Sequence, residues 1–528
     1  MFSFLSFFWF FLTVRANLFW FYLWQLKEYH IGRFLDHFNT EKGERALLNP
    51  LNVFKILLIL LFFYLPVLFP FIVAIVYISE FFKTILDLIR GRVKRPIITK
   101  KSLLLIFLSL FLEVVFLIAL YQIKKDIILC ALILLIIDIL TPLITSLIVL
   151  LIQPFAVLGR NRIIKKAKKK REEFKDLLVI GITGSYGKTS TKEFLYIILS
   201  QKFGENKVLK TKAHQNSEVG ISQCILRELN PEHKIFICEM GAYNKGGIKL
   251  LCDITKPKIG ILTGINEQHM AAFGSQDNII KTKFELIEAL PEDGITVFNE
   301  DNAFIKFEIR NSIFKVLNKK FYSVRGKADI WAENIVIAKE FVTFRVSTRD
   351  NDSIDFKVNI LGGHNVLNIL GAVMVAKELG MTLPEIAKAC EKIDSRCGGM
   401  QLKKGVNGLN VIDSTYSANP DGVISALEYL KIWRGRKVII MPCLIELGAA
   451  SKEVHRRIGK KIAEVCDLAI ITTKDRFKEI KETAGEKAVF IENPKEIFEK
   501  VKSFCEEGDV VLLESRVPSQ LIKILLNV

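Results

Sequence analysis

Apolar residues crowd into the first 156 positions of this chain, and that crowding restricts what it can fold into more than any other feature. Four runs there, at residues 2–24, 56–78, 103–121 and 127–152, reach the length of about 20 residues that crosses a bilayer as a helix. The first run lacks a basic leader and a small-residue cleavage site, so it reads as a retained helix, with Arg15 inside it, rather than a signal peptide. Residues 80–101 read as a loop carrying Lys83, Arg90, Arg92, Lys94, Arg95, Lys100 and Lys101, and residues 122–126 as a short turn. The sequence RNRIIKKAKKKR follows the last run at residues 160–171. Excess Lys and Arg marks the cytoplasmic side, so both basic segments are expected there, an arrangement that four spans satisfy. The expectation is a multi-pass protein of the cell (inner) membrane, in contact with membrane lipid, whose remaining body is cytoplasmic. Asp138 falls inside the fourth run, where it either marks a polar path or faces another helix.

Lys and Arg number 74 against 56 Asp and Glu, a formal charge of +18. The basic cluster abuts an apolar run, which suits an anionic lipid surface. No zinc-finger, RRM or helix-turn-helix signature accompanies the charge, so nucleic acid is not expected as a partner. The nine cysteines are scattered without a CxxC pair, which argues against a structural zinc site and a disulfide framework.

Past residue 175 the texture changes to short apolar strands alternating with helical patterns: LLVIGITG, KTSTKEFLYIILSQKF, KIFICEMGA and KIGILTGIN. Such alternation predicts a parallel α/β sheet with ligands at the carboxyl ends of its strands. Residues 328–360 suggest a small antiparallel patch, and from Leu409 the strand–helix rhythm restarts as a second, Rossmann-like unit. The expected order is a transmembrane region of about four helices (1–156), a basic juxtamembrane linker (157–175), a central P-loop mononucleotide-binding domain (176–397) and an α/β C-terminal domain (398–528).

The strongest chemical signal is GITGSYGKTST at residues 181–191, between a predicted strand and helix. Glycines let the backbone curl so that N–H groups face phosphate oxygens, and the helix N-terminus adds partial positive charge. Gly184, Ser185, Gly187, Lys188, Thr189 and Ser190 are therefore candidates for ATP binding, with Lys188 reaching the outer phosphates and Thr189 ligating Mg²⁺. Ile182 stands where the strict GxxxxGK[ST] pattern has its first glycine; Gly181, Gly184 and Gly187 instead recur every third residue.

This loop resembles that of the Mur ligases, the ATP-dependent enzymes that build peptidoglycan stem peptides. Further blocks follow in order: FICEMGA (236–242), INEQHMAAFGSQDNIIKTKFE (265–285), FNED (298–301), GGHNVLNILGA (362–372), IDSTYSANPDG (412–422), and IELG followed by His455. They resemble the MurF branch, which adds D-alanyl-D-alanine. The resemblance implies ATP and Mg²⁺ as cofactors, and a peptidoglycan precursor and an amino acid or dipeptide amine as partners. It places Glu239, His269 and Lys283 at the metal with Thr189, and gives Lys188, His269 and Lys283 the catalytic roles, Lys283 as a carbamate. It puts Asn299, Asp301, Asn365, Asn368 and Asp413 on the nucleotide side, and His214, Asn216, Tyr416 and Asn419 on the substrate side.

The pattern also departs from the family. The paired aspartates of IDDSYNANP appear as Asp413 and Ser414, and an asparagine becomes Ser417. An expected arginine is Gly399, with Arg396 nearby, and the closing KGS reads Leu513, Glu514, Ser515, Arg516, without its lysine. Apolar runs stand where the family has a UDP-binding domain. Three further readings therefore remain: a membrane-bound ligase with a lipid-linked or non-murein acceptor, a non-catalytic ATP-binding scaffold, and a transport ATPase, for which CEMG is a poor Walker B strand.

Overall fold

The computed structural model describes residues 1–528 except 123, 124, 214, 313, 315, 417 and 528. Two units divide it, Met1–Asn161 and Arg162–Val528.

The first unit is helical: α1 (Phe2–Leu26), α2 (Ile31–Asp36), α3 (Glu41–Leu47), α4 (Pro50–Tyr64), α5 (Phe69–Ile89), α6 (Lys100–Tyr121) and α7 (Ile127–Glu172). Among the described residues, four stretches are long and apolar enough to cross a membrane: Phe2–Leu26, Glu41–Tyr64, Lys100–Tyr121 and Ile127–Glu172. The run expected as one span at 56–78 is broken. Helix α4 stops at Tyr64, and α5 begins at Phe69 with Pro70 in its first turn. Pro66 has no N–H to continue α4, which separates the two apolar helices. The expected loop at 80–101 is helical through Ile89, and the expected turn at 122–126 includes two residues outside those described. Asp138 faces another helix: the Lys55 ammonium from α4 meets it at 2.7 Å and Glu80 from α5 at 2.6 Å.

The segment expected as a linker at 157–175 is helical as far as Glu172. Its last basic residues are not free lipid-facing charges. Lys170 donates to the carbonyls of Leu226 and Leu229, and buried Arg171 donates to those of Phe174, Leu177 and Thr255.

In the second unit the strands β1 (Leu178–Thr183), β2 (Val208–Lys210), β3 (Ile235–Glu239), β4 (Ile259–Leu262), β5 (Ile295–Asn299), β6 (Asn318–Ser323), β7 (Ile330–Ile337), β8 (Val342–Thr348) and β9 (Ser353–Val358) form one sheet. Its order is β2-β3-β1-β4-β5-β6-β7-β8-β9, parallel through β7, then antiparallel. The antiparallel patch is thus an extension of the main sheet rather than a separate element. The helices are α8 (Lys188–Phe203), α9 (Glu218–Arg227), α10 (Gly247–Thr255), α11 (Met270–Phe273), α12 (Gln276–Glu288), α13 (Ala303–Asn311), α14 (His364–Glu378) and α15 (Leu383–Cys390). Strand β1 is buried on both faces, as central parallel strands are. Ile180 and Ile182 pack with Phe194 and Ile198 of α8, while Val179 joins the opposite cluster with Phe284 of α12.

The second α/β layer comprises β10 (Gln401–Lys404), β11 (Asn410–Ser414), β12 (Lys437–Met441), β13 (Leu468–Ile471), β14 (Ala488–Phe490) and β15 (Val510–Glu514), ordered β10-β11-β15-β12-β13-β14. Helices α16 (Pro420–Leu430), α17 (Ser451–Val465), α18 (Phe477–Ala484), α19 (Pro494–Phe504) and α20 (Ser519–Leu526) cover it. All nine cysteines are unbridged.

Candidate active site

The glycine loop leaves β1 and enters α8 with no side chain capping the helix. Gly187, at φ 78, occupies the cap position, so the first N–H groups of α8 are available to an anion. Neither glycine of the turn can carry a side chain. A Cβ on Gly184 would lie 2.2 Å from Thr263 Oγ1, and one on Gly187 would lie 2.4 Å from Asn368 Oδ1. The strand-end loop after β4 braces this turn from the other side, where Ser185 N–H donates to the Gly264 carbonyl at 2.7 Å. The Lys188 ammonium donates to the carbonyls of Gly184 at 2.7 Å and Ser185 at 3.2 Å. Burial holds Lys188 below its usual range, and Glu239 pulls it partly back up.

Glu239 ends β3 beside this loop and is buried. Asn216 Nδ2 donates to its Oε1 at 3.0 Å, and Lys192 Nζ donates to its Oε2 at 3.2 Å. Burial pushes the Glu239 carboxyl up, but Lys192, Lys188 and Asn216 outweigh it and the net direction is down. Glu239 is therefore a carboxylate near neutral pH.

His269 caps the short helix α11 at φ 65, with Nδ1 2.7 Å from Glu446 Oε2. Burial pulls the imidazole down, against the Glu446 contact, so the neutral ring is favoured. Lys283 lies on the buried face of α12, its ammonium 5.7 Å from the centre of the Phe273 ring. Among the described residues no carboxylate pairs with it. Burial, with Lys188 as a repelling neighbour, brings its amine down to about 7. The fields of Lys188 and Lys283 also reach His269, which ties the three into one electrostatic cluster. The alternative lysine on this helix, Lys281, is exposed and pairs with Asp277 at 2.8 Å.

The other sequence candidates serve the scaffold to different degrees. Asn299 donates to the Thr263 carbonyl at 2.7 Å and accepts from Asp301 N–H. Asp301 accepts from Ser323 Oγ and from Val324 N–H. Asn365 donates to the Leu361 and Gly398 carbonyls and accepts from Asn368, whose own Oδ1 abuts Gly187. Asp413 takes Lys403 at 2.6 Å and the Thr415 hydroxyl. Asn419 caps α16, accepting from Gly422 N–H, and Tyr416 is exposed. Arg396 is exposed and forks onto Asp394. Thr189 and Ser190 sit in the first turn of α8. His214 lies outside the described residues.

Two family models cover most of the second unit: the Mur ligase middle domain over residues 182–376, and the Mur ligase glutamate ligase domain over residues 398–516. The chain belongs to the Mur ligase family. Its relatives include a UDP-N-acetylmuramoyl-tripeptide–D-alanyl-D-alanine ligase of Bacillus subtilis, 26% identical over 345 residues, 64% of this chain and 72% of that protein. The enzyme of that name from Escherichia coli is 29% identical over 53% of this chain, and the chain spans only 61% of its length. Among solved structures, MurF from Acinetobacter baumannii aligns with a TM-score of 0.63 at 26% identity, over 70% of this chain and 81% of that one. MurF from Thermotoga maritima in complex with ADP aligns with a TM-score of 0.61 at 26% identity, over 69% and 83%.

Within this Mur ligase fold, contacts between the two α/β layers add residues that sequence motifs alone do not single out. Asn266 Nδ2 meets Asp421 Oδ2 at 2.7 Å, Arg457 meets Glu267 at 3.1 Å, and Glu446 holds His269. Asp421 and Glu446 lie inside quoted blocks, but nothing in a linear motif says which strand end they face. Lys192, four residues beyond Lys188, carries one available signal: a lysine on the face of α8 that the apolar period buries.

Proposed function

We propose that this chain is a MurF-like, membrane-bound, ATP-dependent peptide ligase that adds D-alanyl-D-alanine or a similar amine to the stem peptide of a peptidoglycan precursor. The observation that carries this reading is the meeting of an uncapped α8 N-terminus and Lys188 with the Glu239 carboxylate and the neutral-favouring His269 and Lys283. In the reaction the stem carboxylate attacks the terminal phosphorus of ATP and ADP leaves. The amine nitrogen then attacks the acyl phosphate carbonyl, phosphate departs, and the amine's proton is lost. The α8 N–H groups and Lys188 hold and neutralise phosphate oxygens in fixed positions, where preorganised charge is most effective.

The residues present fit a Mg²⁺ site. Glu239 offers a buried carboxylate with a fixed rotamer, Thr189 a hydroxyl in the first turn of α8, and His269 its Nε2, since Nδ1 is engaged by Glu446. Among the described residues no three His, Cys, Asp or Glu side chains cluster; Lys283, as the carbamate that the resemblance implies, would add an oxygen donor. An amine at about 7 is neutral often enough to take up carbon dioxide. Mg²⁺, when bound, would supply positive charge that offsets the negative charge of the reacting phosphate.

The first unit supports membrane residence. Its helices expose Phe63, Phe107, Leu143 and Phe155 at 73, 69, 67 and 69%, an outer surface too apolar for water. ATP use and the basic flanks support a cytoplasmic α/β body.

Mass spectrometry of products after incubation with ATP, Mg²⁺, D-alanyl-D-alanine and UDP-linked or lipid-linked tripeptide precursors tests this. An adduct of stem peptide and dipeptide supports the ligase. ATP binding without amine-dependent phosphate release supports the scaffold instead. A second reading, a lipid-linked acceptor, is favoured by the apolar helices that precede the matched domains; turnover of the soluble precursor alone rules it out.

A further inference from the structure

Lys192 is fully buried, yet the loop chemistry described above does not use it. It stands one turn beyond Lys188 on α8 but is turned differently. Lys188 folds over the glycine loop, whereas the Lys192 ammonium lies between two carboxylates, 3.2 Å from Glu239 Oε2 and 3.2 Å from Glu193 Oε1. Glu193 is itself paired with Lys210, whose ammonium lies 4.0 Å from the centre of the Tyr196 ring. A line of alternating charge therefore runs from the site to the sheet edge at β2. The second oxygen of Glu239 is held by Asn216 at 3.0 Å, and its backbone N–H donates to Thr211 Oγ1 at 3.0 Å. The carboxylate thus has two polar supports, from α8 and from the loop before α9, and the backbone of Glu239 has a third, from Thr211 just past the end of β2. A carboxylate that served only to cap or pack would not need both oxygens fixed. Fixed oxygens are what a cation ligand needs, because partners of a ligand set its orientation and its affinity.

We infer that Lys192 is the positioning residue for Glu239: it clamps Oε2 while Asn216 clamps Oε1, presenting the carboxylate to a nucleotide-bound divalent cation in one orientation. Lys192 acts through Glu239 and touches neither phosphate nor acceptor. The two lysines of α8 divide their work, Lys188 at the phosphates and Lys192 at the ligand of the cation. Asn216 joins this clamp from the loop that resemblance assigns to the substrate. The inference rests on the ligase reading of the site.

The test uses the full chain in detergent micelles and needs no acceptor. ATP affinity without metal is measured by calorimetry, and Mn²⁺ binding in the presence of ATP by electron paramagnetic resonance, for wild type, Lys192→Met, Lys192→Arg and Asn216→Ala. Lys192→Met is expected to weaken Mn²⁺ binding about tenfold or more, with metal-free ATP affinity within about threefold. Lys192→Arg, which keeps a cation facing Glu239, recovers most of the loss. Asn216→Ala weakens Mn²⁺ in the same direction and keeps the test decisive if Lys192→Met fails to fold. Unchanged Mn²⁺ titrations in folded Lys192→Met or Asn216→Ala overturn the inference, as does an equal loss of ATP affinity without metal. Wild type that binds neither ATP nor Mn²⁺ with ATP overturns the ligase reading itself and the inference with it.

Discussion

Glu514 ends β15 opposite Ser414 of β11, almost wholly out of water, with one carboxyl oxygen that has no hydrogen-bond partner among the described residues. Burial pushes this carboxyl up to about 8, against the hydrogen bonds from Ser414 and Ser515. The unfolded chain gives up this proton near its ordinary value of 4.5, and the folded chain keeps it until about 8. Between those values the folded state binds more protons, so this group makes stability fall as pH rises and level off above about 8. Integrated over the interval, the loss is on the order of 5 kcal/mol. Glu514→Gln keeps the shape and removes the titration. Its denaturant midpoint is expected to match wild type near pH 5 and to exceed it increasingly toward pH 8–9; parallel curves at all pH values would sink the idea. Lys283 gives a second residue-scale expectation. Protein equilibrated with ¹³C-bicarbonate should show a carbamate carbonyl resonance that Lys283→Met lacks, and identical spectra would leave the amine unmodified.

At the scale of elements, the turn between β1 and α8 has the least freedom. Gly187→Ala places a Cβ at φ 78 and against Asn368 Oδ1 at 2.4 Å. The strained backbone alone costs about 1–2 kcal/mol, and displacement of the turn should weaken ATP binding about tenfold or more. Calorimetric titration with ATP beside a thermal melt reads both, and wild-type affinity would show that the turn tolerates a side chain. This element is legible in the sequence almost to the residue. A glycine every third position announces the turn, and the apolar period of KTSTKEFLYIILSQKF announces α8. The second apolar run is not legible as two helices, because hydropathy sums over residues 56–78 and does not register that Pro66 cannot donate a hydrogen bond. Glu239 and His269 become candidates from strand ends, and Lys283 from the ordered blocks alone. Lys192 with Glu239, and His269 with Glu446, are partners 47 and 177 residues apart, and no local pattern encodes such a pair. The same limit hides the Lys55–Glu80–Asp138 group that joins α4, α5 and α7, since Lys55 and Glu80 fall outside the second apolar run, Asp138 falls inside the fourth, and nothing local pairs them. Lys55→Met leaves two carboxylates facing each other among apolar side chains and should destabilise the helical unit by about 3–5 kcal/mol. Retention of monodisperse protein in detergent on heating measures this. Combining Lys55→Met with Glu80→Gln and Asp138→Asn should restore it, and an unaffected single variant would assign the group no structural weight.

At the scale of the whole catalytic unit, the site belongs to neither α/β layer alone. The loop of residues 265–273 leaves the strand that braces the phosphate turn and meets the second layer at Asp421, Arg457 and Glu446. The backbone joins in, since Ala271 N–H donates to the Glu446 carbonyl at 3.1 Å. Glu446 therefore does two things at once. It ties the layers together through its main chain, and through its carboxylate it holds Nδ1 of His269, leaving Nε2 outside that contact. A carboxylate behind a histidine ligand orients it and raises its basicity, and removing such a partner typically loses tenfold or more in activity or metal affinity. Glu446→Ala is thus expected to lower kcat about tenfold or more, while ADP affinity stays within about twofold because the glycine loop and α8 are untouched. Single-turnover kinetics beside ADP titration separates the two effects. Loss of ADP affinity together with kcat would mean that Glu446 holds the layers together and does no more. Loss of kcat alone would mean that closure of the second layer completes the reacting centre by delivering this one carboxylate to His269.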